Sequence, residues 1–232
     1  MTGPHRLLGV LGGMGPAAGA EFLRLLTALS PATRDQEHFP VVLLSDPQIP
    51  DRTEALLGRG ENPTSRLRED LFKLISWGAD LLAIPCNTAH AFVDRFIGEL
   101  SVPLVHIVEE TLNEAIGKNS AGGWLIATEG TLASGIYQDR ALRKGFTLHL
   151  PSGPEQAEVN EIIRLVKANR LTEAGRRFEP LAASLWKQAE VPILTACTET
   201  PLAYRAADLP EAMTVSSLEA LARGVIREFR QD

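Results

Sequence analysis

The sequence predicts an α/β protein made of two related units, each with a parallel sheet, and three observations carry that expectation. Short apolar runs alternate with amphipathic stretches along the whole chain. Most of the runs are almost continuously apolar, as strands covered on both faces require. The chain also repeats itself. The run LLGVL leads into Gly12-Gly13-Met14-Gly15-Pro16, and GWLIA leads into Thr128-Glu129-Gly130-Thr131. LLAIP closes on Cys86-Asn87-Thr88, and VPILTA closes on Cys197-Thr198-Glu199, 111 residues later. Two units that open and close alike, facing each other about a pseudo-twofold axis, would set their cysteines on opposite sides of one cleft.

In chain order, strands are expected at 7–11, 40–45, 80–85 and 103–108, then at 123–127, 146–150, 191–196 and 213–215. Helical spacing of Leu, Ile, Phe and Ala marks 17–29, 64–77, 89–100, 155–168, 173–188 and 217–229. Strand, helix and strand in succession imply right-handed crossovers. The unit boundary falls near 115–120, in GKNSAGG. This gives an N-terminal unit of residues 1–115, completed by the C-terminal helix 208–232, and a second unit of residues 116–207, with the last helix free to pack on either unit.

A chain of 232 residues, 44% hydrophobic and 22% charged, can bury one large core or two modest ones. Disordered and fibrous classes are excluded. The net charge of -6, from 23 basic and 29 acidic residues, comes without a Lys/Arg-rich run, so no nucleic-acid partner is expected. Each apolar stretch meets a Gly, Pro or charge far short of the roughly 18 to 20 residues a bilayer demands, so no membrane partner is expected either. Residues 1–6 lack a secretory apolar region, and a soluble cytoplasmic protein is the expectation. Two cysteines are too few for a disulfide framework.

In open α/β sheets, ligands bind outside the carboxyl ends of the strands. The polar loops 12–16, 86–90, 128–131 and 197–199 lie there. Each cysteine precedes a helix start, where unpaired N–H groups favour an anion and can lower a thiol from its usual pKa of about 8.5. The alternative is a small apolar side chain filling a strand end. Two opposed thiols suit one reaction best, removal of a proton from one face of a carbon and return of a proton to the other. Inversion needs a base and an acid on opposite sides, and the reverse reaction exchanges their roles. A cysteine hydrolase would pair Cys86 with His90, four residues on, but leaves Cys197 idle.

Other chemistries fit less well. The first glycine loop reads Gly13-x-Gly15 with Ala18 at the third glycine position and Gly19 one place late, so it is not a dinucleotide fingerprint. Its glycines either let backbone approach a small ligand or make the turn. Cys86-x3-His90 is the one close Cys/His pair, and no four-ligand metal spacing can be written. His5, His38, His106 and His149 read as structural. Arg52 follows the two prolines of the 46–52 loop, where a guanidinium can grip a carboxylate or stay solvated. Lys167, closing an amphipathic helix, reads by itself as a solvated residue.

These segments resemble the aspartate/glutamate racemase family, in its cofactor-independent aspartate racemase branch. The resemblance runs through LGVLGGMGP (8–16), PQIPDRT (47–53), GADLLAIPCNTAH (78–90), IATEGTLASGIY (126–137) and ACTETPL (196–202). It implies two Rossmann-like units with the site between them, and Cys86 and Cys197 as the acid/base pair. It further implies that Asn87, Thr88, Thr128 and Thr198 surround the substrate's amino and α-carboxylate groups, and Met14 is counted with the substrate-binding residues. Arg52 and Lys167 match the positions that hold an acidic side chain. Glu199 falls beside the second cysteine, to orient it or tune its pKa. Neither cofactor nor metal is implied, and the branch's habit is a homodimer. Gly19, Ala196 and Ser216 depart from the usual threonine, glycine and aspartate, which leaves the substrate open between aspartate, glutamate and a broader set. The readings that compete are a decarboxylase or cis-trans isomerase of a small diacid, and a small-ligand-binding protein without catalysis.

Overall fold

The computed structural model describes residues 6–230. His5 and nearly all of the 1–6 segment therefore lie outside the described residues. The first half runs β1 (Leu8–Gly12), α1 (Pro16–Leu29), β2 (Val41–Ser45), α2 (Arg52–Leu56), α3 (Thr64–Ser76), β3 (Leu81–Ala83), α4 (His90–Val93), β4 (Leu104–Val105) and α5 (Ile107–Lys118). The second runs β5 (Gly123–Ile126), α6 (Glu129–Ser134), α7 (Ile136–Arg143), β6 (Leu148–His149), α8 (Gly153–Lys167), α9 (Leu171–Gln188), β7 (Ile193–Thr195), α10 (Thr200–Ala206), β8 (Thr214–Ser216) and α11 (Ser217–Arg230).

Two four-stranded parallel sheets result, ordered β2-β1-β3-β4 and β6-β5-β7-β8. The order is the same in both, as the internal repeat predicts. In each, the strand that ends in the Gly/Thr loop pairs directly with the strand that ends in the cysteine loop, β1 with β3 and β5 with β7. The chain reverses direction across each sheet at that pair, and the crevice at such a switch point is where α/β sheets bind ligands.

The central strands β1, β3, β5 and β7 are buried on both faces, which explains their continuous apolar runs. Leu67, Leu71 and Leu74 of α3 pack with Leu82, Ile84 and Phe92 on the outer side of the first sheet. Ile162 of α8 and Phe178 and Leu185 of α9 pack with Ile193 on the outer side of the second. Between the sheets lies a shared core in which Leu8 and Val10 of β1 join Leu125, Ala127, Tyr137, Leu218, Leu221 and Val225. The helices that close each half are exchanged across it. Helix α5 follows β4 yet packs on α7 and β8, and α11 follows β8 yet packs on α1, α5 and β4. Among residues 208–230, β8 pairs with β7 while α11 packs on α1, α5 and β4.

The structure adds helices α2, α6, α7 and α10 to the helical ranges read from the sequence, and it departs from the expected elements in two further places. The helix expected over 89–100 is a single turn, α4, followed by a short 3-10 turn at Ile97–Glu99. Just after α4, Asp94 is drawn sideways by His106 Nε2 at 3.0 Å and Arg140 Nη2 at 2.7 Å, and Gly98 disfavours a further helical turn. Burial raises the Asp94 carboxyl, but these two bonds outweigh it and bring the pKa down to about 2. The strand expected over 103–108 stops at Val105. From Ile107 the buried residues Ile107, Val108, Thr111, Leu112 and Ala115 keep the spacing of one helix face. The β-branched run masks that period in the sequence. Among the described residues, no helix is long and apolar enough to cross a membrane.

Candidate active site

The site is assembled from the loops at the carboxyl ends of β1, β2, β3, β5 and β7, with α8 contributing its last residue. After β1, Gly13 adopts φ +93°, and a Cβ there would lie 2.3 Å from the backbone carbon of Asp46. Of the two roles open to this glycine, the structure shows the turn, with its close backbone approach made to the β2 loop. The turn presents Met14 to the cleft.

The loop after β2 is fixed by Asp46, which accepts from Gln48 N at 2.8 Å and from Arg66 Nε at 2.6 Å. Asp51 then caps α2, accepting from Thr53 N and Glu54 N at 2.8 and 2.9 Å. Arg52 is therefore the first residue of a capped helix. Its Nη1 donates to the Ile49 and Pro50 carbonyls at 3.1 and 3.2 Å, while its Nε is buried without a partner. A guanidinium anchored at one corner and unsatisfied at another favours an incoming anion.

After β3, Cys86 is 5% exposed, backed by the outer core of the first sheet and open to the cleft. Its carbonyl oxygen accepts from His90 Nδ1 at 2.9 Å. A carbonyl only accepts, so the His90 proton is on Nδ1. Burial first, and then repulsion from His106, push the His90 pKa well below its ordinary value. The ring is neutral, its Nδ1 is held by the backbone and its Nε2 is buried without a partner, so the Cys86–His90 hydrolase dyad is not formed. His106 and His149 make structural contacts, with Asp94 and with the Trp124 ring, respectively.

In the second half, Thr128 caps α6, and its hydroxyl meets Thr88 Oγ1 at 3.1 Å and Thr131 Oγ1 at 3.0 Å. Thr88 and Thr131 are themselves 2.8 Å apart, so three hydroxyls join the two halves at the cleft floor. After β7, Cys197 is 6% exposed and its thiol donates to Glu199 Oε2 at 3.1 Å. The Thr198 hydroxyl donates to the same oxygen at 3.3 Å.

Burial, and then the Glu199 carboxylate, push the Cys197 thiol well above its ordinary pKa, against smaller downward effects from the Glu199 backbone N–H and Lys167. This corrects the sequence-based expectation for Cys197, that a helix start makes its thiolate accessible near neutral pH. Helix α10 has only seven residues, and its N-terminal field loses to desolvation and a neighbouring carboxylate. Cys197 therefore stands in the cleft as a thiol.

All ten residues singled out from the sequence line one cleft: Cys86, Cys197, Met14, Arg52, Asn87, Thr88, Thr128, Lys167, Thr198 and Glu199. It is narrow, with about 20 Å³ of free space between the side chains that line it. Asp51 and Thr53 line it too, and sequence reasoning misses them; the signal is their cap spacing within the 47–53 motif, where the cation draws the eye first. Asn87 carries more bonds than a pure ligand contact needs, with its side-chain oxygen and one amide hydrogen already engaged by protein.

Among the described residues, no group of three or more His, Cys, Asp or Glu side chains is arranged to hold a metal. A larger hollow between α5, α10 and α11 contains neither cysteine. Its cations are already engaged, Arg205 with Glu21 at 2.6 Å and Lys118 with the Glu211 and Thr214 carbonyls at 2.9 and 2.6 Å.

With this geometry established, comparison with known proteins places the chain. The Asp/Glu/hydantoin racemase family model matches residues 11–225. The aspartate racemase of Picrophilus torridus superposes with a TM-score of 0.84 and 29% identity, over 97% of this chain and 94% of that one. The broad specificity amino-acid racemase RacX of Bacillus subtilis is 29% identical over 198 residues, covering 83% of this chain and 85% of RacX. A glutamate racemase of Aquifex pyrophilus is 28% identical over 167 residues, 67% of this chain and 61% of that protein. Two parallel sheets of one order, a cysteine at the same strand end of each, and a family match across nearly the whole length lead to one conclusion: the chain belongs to the Asp/Glu/hydantoin racemase family, and it is an isomerase of the racemase type.

Proposed function

We propose that the protein interconverts the L and D forms of an acidic amino acid, aspartate first among them, by two-thiol acid/base catalysis without pyridoxal phosphate or metal. The observation that carries this reading is the pair of free cysteines at equivalent strand ends of the two halves, both lining one cleft. For one enantiomer, Cys86 acts as thiolate and takes the α-proton, its sulfur lone pair forming the S–H bond while the C–H pair stays on carbon. Cys197, already a thiol, gives its proton to the opposite face. Inverted product leaves with Cys86 protonated and Cys197 ionised, the state that serves the other enantiomer.

Glu199 orients the Cys197 thiol, which donates to its carboxylate, and keeps the proton on sulfur until the carbanion takes it. Thr88, Thr128, Thr198 and the free amide hydrogen of Asn87 surround the substrate's amino and α-carboxylate groups. Arg52 and Lys167 take the side-chain carboxylate. The same reading carries a cytoplasmic setting and, from the aspartate branch it resembles, a homodimer. A ligand-binding protein without catalysis needs neither thiol.

Specificity tests the role of the two cations. Arg52→Ala or Lys167→Ala should lower kcat/KM for aspartate ten- to a hundredfold, since hydrogen bonds to charged groups contribute about 1.5–3 kcal/mol. The loss should shrink for any neutral amino acid that the enzyme accepts, because the removed cation has no carboxylate to bind. Equal losses on acidic and neutral substrates would assign the pair to cleft architecture instead.

A further inference from the structure

Behind the cleft, a chain of fully buried hydrogen bonds links the two cysteine loops. Its first member is Ser217, the opening residue of α11, whose hydroxyl is 2.9 Å from the Thr195 carbonyl. That carbonyl only accepts, so the single Ser217 hydrogen points at it. Asn87 Nδ2, 3.0 Å from Ser217 Oγ, therefore donates to the oxygen. Asn87 Oδ1 is left to accept from the Tyr137 hydroxyl at 2.6 Å. Every hydrogen in the chain has one place. Tyr137 and Ser217 are both 0% exposed, and Asn87 is 2% exposed. In such surroundings each bond is strong and an unmade one is costly.

The connections give the chain its meaning. Asn87 follows Cys86 directly, and Thr195 stands two residues before Cys197. Two hydrogen bonds, Asn87 to Ser217 and Ser217 to Thr195, are the noncovalent path from one cysteine loop to the other. Tyr137 of α7 holds Asn87 from the other side. We propose that Tyr137 and Ser217 are positioning residues which, through Asn87, set the spacing of the Cys86 and Cys197 loops. The proposal rests on the two-thiol reading, in which both sulfurs must reach one carbon from opposite faces. A misplacement of about 1 Å can cost a hundredfold in rate. Neither residue lines the cleft, so neither touches substrate itself.

The test uses Tyr137→Phe, which keeps the ring and removes the hydroxyl, and Ser217→Ala. For both, kcat should fall about tenfold or more with KM within about twofold. The discriminating readout is the primary isotope effect on kcat/KM with α-deuterated L and D substrates, each measured against its protiated form. If the Cys86 loop drifts, proton transfer at Cys86 becomes slower than at Cys197. The substrate isotope effect should then rise for the enantiomer that Cys86 deprotonates and fall for the other.

A loss of properly folded enzyme scales rates and leaves both isotope effects where they are in the wild type. Unchanged isotope effects in both directions, whatever happens to kcat, would overturn the proposal. Tyr137→Phe decides the matter if Ser217→Ala fails to fold. Failure of the underlying two-thiol reading shows separately, as wild-type enzyme whose inverted product takes no α-hydrogen from solvent.

Discussion

Replacement of either Cys86 or Cys197 by serine is expected to lower racemisation of aspartate by several orders of magnitude while leaving the fold intact. Serine's hydroxyl is far too weak a base near neutral pH to replace a thiolate. It is isosteric enough to fill the same strand end, and at position 197 it can donate to Glu199 as the thiol does. Both directions of the reaction should fail together in each variant, since each enantiomer needs one sulfur as base and the other as acid. The check is polarimetry from pure L- and from pure D-aspartate, with circular dichroism as the fold control. A folded Cys197→Ser protein with near wild-type racemisation would replace the two-thiol mechanism with a single-cysteine one.

The second large effect belongs to Glu199. It accepts from the Cys197 thiol, and its negative charge is, after burial, the leading cause of that thiol's raised pKa. Glu199→Gln keeps the shape and an acceptor oxygen for the thiol but removes the charge that holds the proton on sulfur. Loss of a positioned acid/base group costs typically 10²- to 10⁴-fold, and a fall of about a hundredfold in kcat/KM is expected. The fall must be equal for both enantiomers, because their equilibrium constant is one.

The same contacts give the pH effect its sign. A neutral neighbour no longer opposes ionisation of Cys197, so its pKa drops. The alkaline limb of the profile, where Cys197 loses the proton it must donate, should move to lower pH. A limb that stays in place or moves upward would remove Glu199 from the chemistry.

The eight strands among the described residues are visible in the sequence, the central ones because burial on both faces makes them read as apolar runs. The residues of the cleft are legible for a related reason. They sit where strands end and polar residues begin, and the internal repeat pairs the two cysteine loops. The hidden features depend on the far side of the molecule. Helix α5 reads as strand until its buried face is seen against α7 and β8, elements remote in sequence. The raised pKa of Cys197 comes first from desolvation, which no local motif encodes, and only then from Glu199, two residues on. Tyr137 and Ser217, 50 and 130 residues from Asn87, meet it only once the halves close.

The departures from the family pattern prove mild where the structure shows them. Ser216 accepts from Glu219 N at 3.3 Å at the start of α11, a capping bond of the kind an aspartate there would make. Ala196 is fully buried in the shared core. Around Gly19, a Cβ would meet its neighbours at an ordinary 3.8 Å.

The central claim is that a proton leaves one face of the α-carbon and a different, solvent-derived one arrives on the other. Pure L-aspartate incubated with the wild-type enzyme in heavy water, stopped at low conversion and resolved by chiral separation and mass spectrometry, tests it directly. The account predicts D-aspartate carrying deuterium at the α-carbon from the first turnovers, because the proton delivered by Cys197 equilibrates with solvent before substrate binds. D-aspartate that retains the original α-hydrogen would contradict it, since one group would then have carried the same proton from face to face.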